Sequence, residues 1–260
     1  MTTPARRTPG RRLPPLAAGL WILFLLWTVL VELVWRLRIG EAELHLLPSE
    51  TGAPLSPWQG ALVALLKWID PTWAVLAAVN AYFFTAAREG LEVARRWAGV
   101  ILATVLLIAW VSAKTAWPLG PVRYTALLGP RIGPVPMGLP LLWLAVLLGA
   151  RDLALRLRPA LSQAALAVGV GVLGLLFEIA LEPLAAKERV FWLWPPGSLP
   201  THAHAPVQSY ATWFIVAALL AYFLREKRVA TTAPPATRSP AAVYVVLLTV
   251  LLLANLTAGR

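Results

Sequence analysis

The sequence predicts an all-α fold: a polytopic membrane protein of about seven transmembrane helices with a cytoplasmic N-terminus. Three observations lead there. Of the 260 residues, 59% are hydrophobic and only 13% are charged, against about 25% charged in soluble domains, and the mean hydropathy is +0.70. Several apolar runs approach the roughly 20 residues that carry a helix across a bilayer, and none alternates as a transmembrane barrel strand would. The basic residues behind the net charge of +11 lie in the short segments between these runs. That placement marks topology rather than a nucleic-acid surface.

Taken in order, a basic cytoplasmic tail (1–15) holds Arg6, Arg7, Arg11 and Arg12. The run Leu16–Trp35 behind it is too long for a signal peptide's apolar region, so it is expected to stay as the first helix, 16–37. Further spans are expected at 58–87, 97–117, 135–150, 161–182, 208–225 and 241–258. The span at 58–87 is interrupted by Lys67, Asp70 and Pro71, so a short interfacial helix followed by a span from Thr72 is an alternative. Residues 16–225 then form the membrane core, 226–240 a flexible cytoplasmic linker, and 241–260 the C-terminal helix. No internal repeat argues for an inverted-repeat transporter. The tail and the expected loops 88–96, 151–158 and 225–238 carry four, three, three and four Lys or Arg, against eight on the other side, Lys67 aside. This bias puts the N-terminus in the cytoplasm and the C-terminus outside, in what is expected to be a bacterial inner membrane.

No cysteine is present, so thiolate chemistry and disulfides are excluded. The last span, "AAVYVVLLTVLLLANLTA", has no lysine to form a retinal Schiff base, and neither a phosphate-binding glycine loop nor a hydrolase or zinc-protease motif occurs. His202 and His204 form an H-x-H between two prolines, with His45 far away; that is a weak metal signal, and no metal or cofactor is expected. The chemistry-bearing residues are acidic. In "FEIALEPLAAKERVFWLWPP", Glu178 and Glu182 stand at i, i+4 and project from one helix face. They read either as a solvated helix end or as a pair facing a cavity, one carboxyl being held protonated by its neighbour's charge and by desolvation, as a general acid requires. By depth, Glu182 is expected near the interface and Glu178 about 6 Å deeper. Glu32 and Asp70 are further acidic candidates, with Asn80 as a hydrogen-bonding partner; Glu32, at i, i+4 from Arg36, reads equally as half of a structural ion pair, and Asp70-Pro71 equally as a helix break. Trp58, Trp97 and Trp117 fit an interfacial belt. Trp192 and Trp194 fit either the belt or the wall of a pocket for a long apolar ligand, where an indole face stabilises a cation.

Two segments resemble a known family. "PLGPVRYTALLGPRIGPVPMGLPLLW" (Pro118–Trp143) and the stretch from Glu178 through "EPLA" and "FWLW" to "APVQSYATWF" (ending at Phe214) are similar, in order and spacing, to the carotenoid-biosynthesis membrane proteins of the carotenoid 1,2-hydratase type. Positions in common include Gly120, Tyr124, Trp143, Glu178, Glu182, Trp192, Trp194, Gln208 and Trp213. The chain departs from the pattern in the third span, where Ala109 and Ser112 stand in place of an acidic residue and a Gly and Lys114 in place of a His. It departs again at Val122, Ser209 and Thr212. The resemblance implies a carotenoid or other long isoprenoid lipid as partner, catalytic Glu178 and Glu182, and substrate contacts from Tyr124, Trp192, Trp194, Gln208 and Trp213. The implied reaction is acid-catalysed hydration of the terminal C1–C2 double bond of an acyclic carotenoid end, a carbon–oxygen lyase activity. A non-catalytic transporter or carotenoid-binding scaffold is the alternative.

Overall fold

The computed structural model describes residues 15–37, 57–195, 205–224 and 238–258. Seven α-helices run through them: α1 (Pro15–Arg36), α2 (Pro57–Glu89), α3 (Leu91–Thr115), α4 (Gly138–Leu157), α5 (Gln163–Pro183), α6 (Val207–Phe223) and α7 (Pro240–Ala258). Four of them, α1, α3, α4 and α5, are long and apolar enough to cross a membrane, and α6 and α7 are shorter apolar helices. The protein is a helical membrane protein. Its outward faces carry Leu26, Val29, Leu107 and Leu252, each more than half exposed, as surfaces meeting lipid do.

Helix α4 is the axis of the bundle and packs against α2, α3, α5 and α7. Its apolar stretch is 83% buried, against 28% in α3. In lipid, helices associate by close packing rather than by exclusion of water, so small residues mark the contacts. A Cβ on Gly149 of α4 would stand 2.5 Å from Tyr244 Cβ in α7, and one on Gly171 or Gly174 of α5 would stand 3.0 Å from Phe214 or Ala217 in α6. Helix α1 lies antiparallel to α2. Trp27 Nε1 donates to the Ile69 carbonyl, Trp73 Nε1 to Thr28 Oγ1, and Asn80 Nδ2 to the Leu20 and Leu76 carbonyls.

The structure answers the question left open at the second span, and two expected loops are largely helical instead. Helix α2 is continuous through Asp70 and Pro71, as the expected span 58–87 has it and without the alternative's break before Thr72. The expected loop 88–96 shrinks to one residue, Gly90 at φ 98°, between α2 and α3. The expected loop 151–158 is the last two turns of α4. The charged residues there are paired, Arg88 with Asp152 and Arg151 with Glu89 at 3.4 Å between α2 and α4, and Arg156 with Asp152 at 2.9 Å within α4. Asp152 also accepts from the Ala241 backbone at the start of α7.

This charged end and the end bearing Glu182 are opposite ends of an up-and-down bundle. We therefore expect a reporter fused after Arg260 to read as external and one placed in 225–238 as cytoplasmic. A cytoplasmic signal at both positions would rule out the odd number of crossings.

Candidate active site

At the Glu182 end, α5 passes into a π-helical turn (Leu184–Glu188) and then strand β4 (Trp192–Leu193). Strand β4 pairs antiparallel with β1 (Arg123–Tyr124), placing Tyr124 opposite Trp192. A second small hairpin, β2 (Arg131–Ile132) with β3 (Val135–Pro136), leads into α4. The π-turn arises because Pro183 has no backbone N–H for the ordinary helical ladder. Downstream, the Arg189 and Phe191 amides donate to the carbonyls of Leu184 and Ala185. Between them Val190 sits at φ 50°, an unfavourable backbone for a β-branched residue. Strong anchors surround it. Thr125 Oγ1 donates to the Val190 carbonyl at 2.7 Å, and the Thr125 amide to that of Phe191 at 2.9 Å.

The opposite wall, residues 116–122, is tied to α3 and α6 by the residues that depart from the family pattern. The Leu119 amide donates to Ser112 Oγ, and Thr212 Oγ1 donates to the Pro118 carbonyl, each at 3.0 Å. Gln208 Nε2 donates to the carbonyl of Ala116, which is left-handed at φ 59°. Gly120, at φ 112°, lies against Pro206: a Cβ there would come within 2.4 Å of the proline ring. Ser112 and Thr212 thus serve as loop anchors, Ala109 is packed in the core, and Lys114 is exposed.

These segments enclose a cavity of about 10 Å³ lined by Tyr124, Trp143, Glu178, Trp192, Trp194, Ser209 and Trp213 together with Leu119, Val122 and Leu139. That is about the room of one water molecule. Glu178 is 2% exposed and Glu182 0%. A solvated helix end does not describe them, because the π-turn and β4 fold back over the end of α5. Glu182 Oε1 accepts the indole N–H of Trp192 at 3.0 Å and that of Trp194. Glu178 Oε1 accepts Ser209 Oγ at 3.4 Å. Each carboxyl keeps a second buried oxygen, Oε2, with no hydrogen-bond partner among the described residues. A buried carboxyl oxygen left so is costly unless a proton, water or ligand uses it.

The aromatic walls are ordered. Trp143 stacks on Trp213 with centroids 4.0 Å apart, and Tyr124 meets Trp192 edge-on at 6.3 Å. Burial, then the neighbouring Glu178 and Glu182, pushes the Tyr124 phenol above its usual range, so it remains a protonated donor.

Of the residues singled out in the sequence, Tyr124, Glu178, Trp192, Trp194 and Trp213 meet at this cavity, with Glu182 held by its two indoles. Gln208 does not line it and is spent on the Ala116 carbonyl. Trp97 is not a belt residue: it is buried, with the Arg151 guanidinium 4.1 Å above its ring. Glu32 pairs with Arg36 at 2.6 Å. His45, His202 and His204 lie outside the described residues, and among those described no cluster of His, Cys, Asp and Glu has the makings of a metal site. Trp143 and Ser209 were missed as site residues. Trp143 looks like any core indole within an apolar span, and Ser209 is a common residue in a helix's first turn. Only their shared proximity to Glu178 marks them.

Fold and site together define a class: a helical membrane protein with a buried acidic pair inside a tryptophan-walled cavity. The chain belongs to the carotenoid biosynthesis protein family, whose model matches residues 71–260. Over 130 residues it is 33% identical to a bisanhydrobacterioruberin hydratase of Haloarcula japonica, a match covering 46% of this chain and 42% of that relative. The matched stretch thus spans less than half of the relative's length. No solved structure matches. The family model begins at Pro71, so α1 and the first turns of α2, Asp70 included, lie outside it.

Proposed function

We propose that the protein hydrates the terminal C1–C2 double bond of an acyclic carotenoid end by acid catalysis. The observation that carries the reading is the pair of buried carboxyls, each with a free oxygen, beside an otherwise aromatic and apolar cavity. Protonated Glu178, which lines the cavity, gives its proton to C2 of the alkene and leaves a tertiary cation at C1. A water held at Glu182 attacks C1, and Glu182 takes the proton that water releases; return of that proton to Glu178 restores the starting state. Glu182 suits the accepting role because its Oε1 already accepts two indole N–H groups, which fixes Oε2 in place. Glu178 is the donor because only a long hydroxyl contact constrains it. The indole faces of Trp192 and Trp194 stabilise the cation and exclude stray water. A cavity of water size admits an isoprenoid end only if β4 moves away from α5, so the walls must open toward lipid. The proposed setting is the bacterial inner membrane, with the N-terminus cytoplasmic.

Expression in a lycopene-producing host tests the reaction. The expected result is a more polar pigment heavier by one water. Unchanged pigment despite inserted, folded protein would instead support a non-catalytic carotenoid-binding scaffold or transporter.

A further inference from the structure

A second and much larger cavity, about 270 Å³, opens at the same end of the bundle between α2 and the β2 hairpin, lined by Lys67, Trp68, Ala126, Gly129, Pro130 and Arg131. Lys67 interrupts an otherwise apolar helix face, and no requirement of α2 itself explains a cation there. The turn at Gly129 brings Arg131 across to it. Gly129 has φ 94°, and a Cβ there would come within 3.2 Å of Pro71 Cβ, so the turn presses directly on α2. Among the described residues neither Lys67 nor Arg131 is paired with a carboxylate. Two cations from separate segments, one an ammonium and one a guanidinium fork, therefore converge on one cavity beside an indole.

We propose that this cavity binds the phosphate of an anionic lipid headgroup. Phosphate is the anion that an ammonium and a guanidinium hold best together, through point charge and paired donors respectively. The lipid, rather than free phosphate, is favoured by what borders the site. Trp68 and Val75, 50% and 42% exposed, lie about two turns apart on one face of α2. From the indole of Trp68, Val75 continues the apolar strip from the cations toward the middle of the bundle, where acyl chains would lie. An indole at its upper end is placed as interfacial tryptophans are. The site is separate from the acidic cavity and does not depend on the hydration reading.

Native mass spectrometry of the full chain, released from detergent containing phosphatidylglycerol or phosphatidylcholine, reads lipid retention directly. We expect phosphatidylglycerol to be retained preferentially. Lys67→Gln and Arg131→Gln should each lower that retention about fivefold, the usual worth of one cation near a lipid surface. Arg131→Lys should keep most of it, and Arg123→Gln, an exposed cation at the same end but outside the cavity, should leave it unchanged. Millimolar inorganic phosphate should not displace the lipid. Thermal midpoints in lipid-free detergent, matched to wild type, separate loss of the site from loss of fold. Equal retention by Lys67→Gln and Arg131→Gln, or an equal loss in Arg123→Gln, would overturn the proposal; displacement by phosphate would reassign the cavity to a small anion and overturn the lipid.

Discussion

Glu178→Gln should lower the rate of carotenoid hydration by about 10²–10⁴-fold, the usual worth of a general acid or base, with the protein still inserted and folded. Glutamine keeps the shape and can still accept from Ser209, but it cannot deliver a proton to an alkene carbon. Glu182→Gln should fall in the same range and somewhat less far. Its carbonyl can go on accepting the Trp192 and Trp194 indoles, so the water site survives while the base is lost. Neither change should destabilise the bundle, since each removes one of two like acidic groups a helical turn apart. Product quantified from pigment extracts, normalised to membrane-inserted protein, decides the matter. Wild-type amounts of hydrated carotenoid from both variants would sink the acidic-pair mechanism. A shared loss of inserted protein would show the pair to be structural.

Arg189→Met should destabilise the fold by about 3–5 kcal/mol, as removal of one partner from a buried ion pair does. Asp70 is 2% exposed and Arg189 6%; Arg189 Nη2 and Nε donate to Asp70 Oδ2 at 2.5 and 3.1 Å, and Trp35 Nε1 donates to Asp70 Oδ1 at 3.0 Å. Without the guanidinium, Asp70 is a buried carboxylate with one indole donor. Arg189 directly precedes Val190 and the strand carrying Trp192 and Trp194, so the change should also loosen the site. Replacing both partners, Asp70→Leu with Arg189→Met, should recover most of the stability, because two charges no longer need desolvating. Unfolding midpoints in detergent test both claims. A single variant within about 0.5 kcal/mol of wild type, the range of ordinary surface changes, would mean the pair is solvated.

The pair shows where reading the chain stops. Asp70 and Arg189 are 119 residues apart; from sequence Asp70 reads as a candidate acid or a helix break, and Arg189 is one of eight basic residues counted on the outer side. Neither looks like half of a clamp joining α1, α2 and the site strand. Glu178 and Glu182, by contrast, announced themselves, since carboxylates within an apolar run need a reason to be there. Their burial was not legible, because position along α5 does not reveal which segments fold over the helix end. The π-turn and the β1–β4 pairing do fold over it.

Composition, apolar run length and charge placement alone determined the class, an all-α membrane protein, because the bilayer forces every backbone polar group into helical pairing and so makes span length legible residue by residue. The i, i+4 spacing likewise determined that Glu178 and Glu182 share a face, since helix geometry is local. Tertiary structure decided which face that is, which indoles hold Glu182, that Gln208 braces a loop instead of touching the cavity, and that charged segments expected as loops are paired helix ends. Each of these depends on contacts between residues distant in the chain. Such contacts are set by packing around α4 and leave no periodic trace in the sequence.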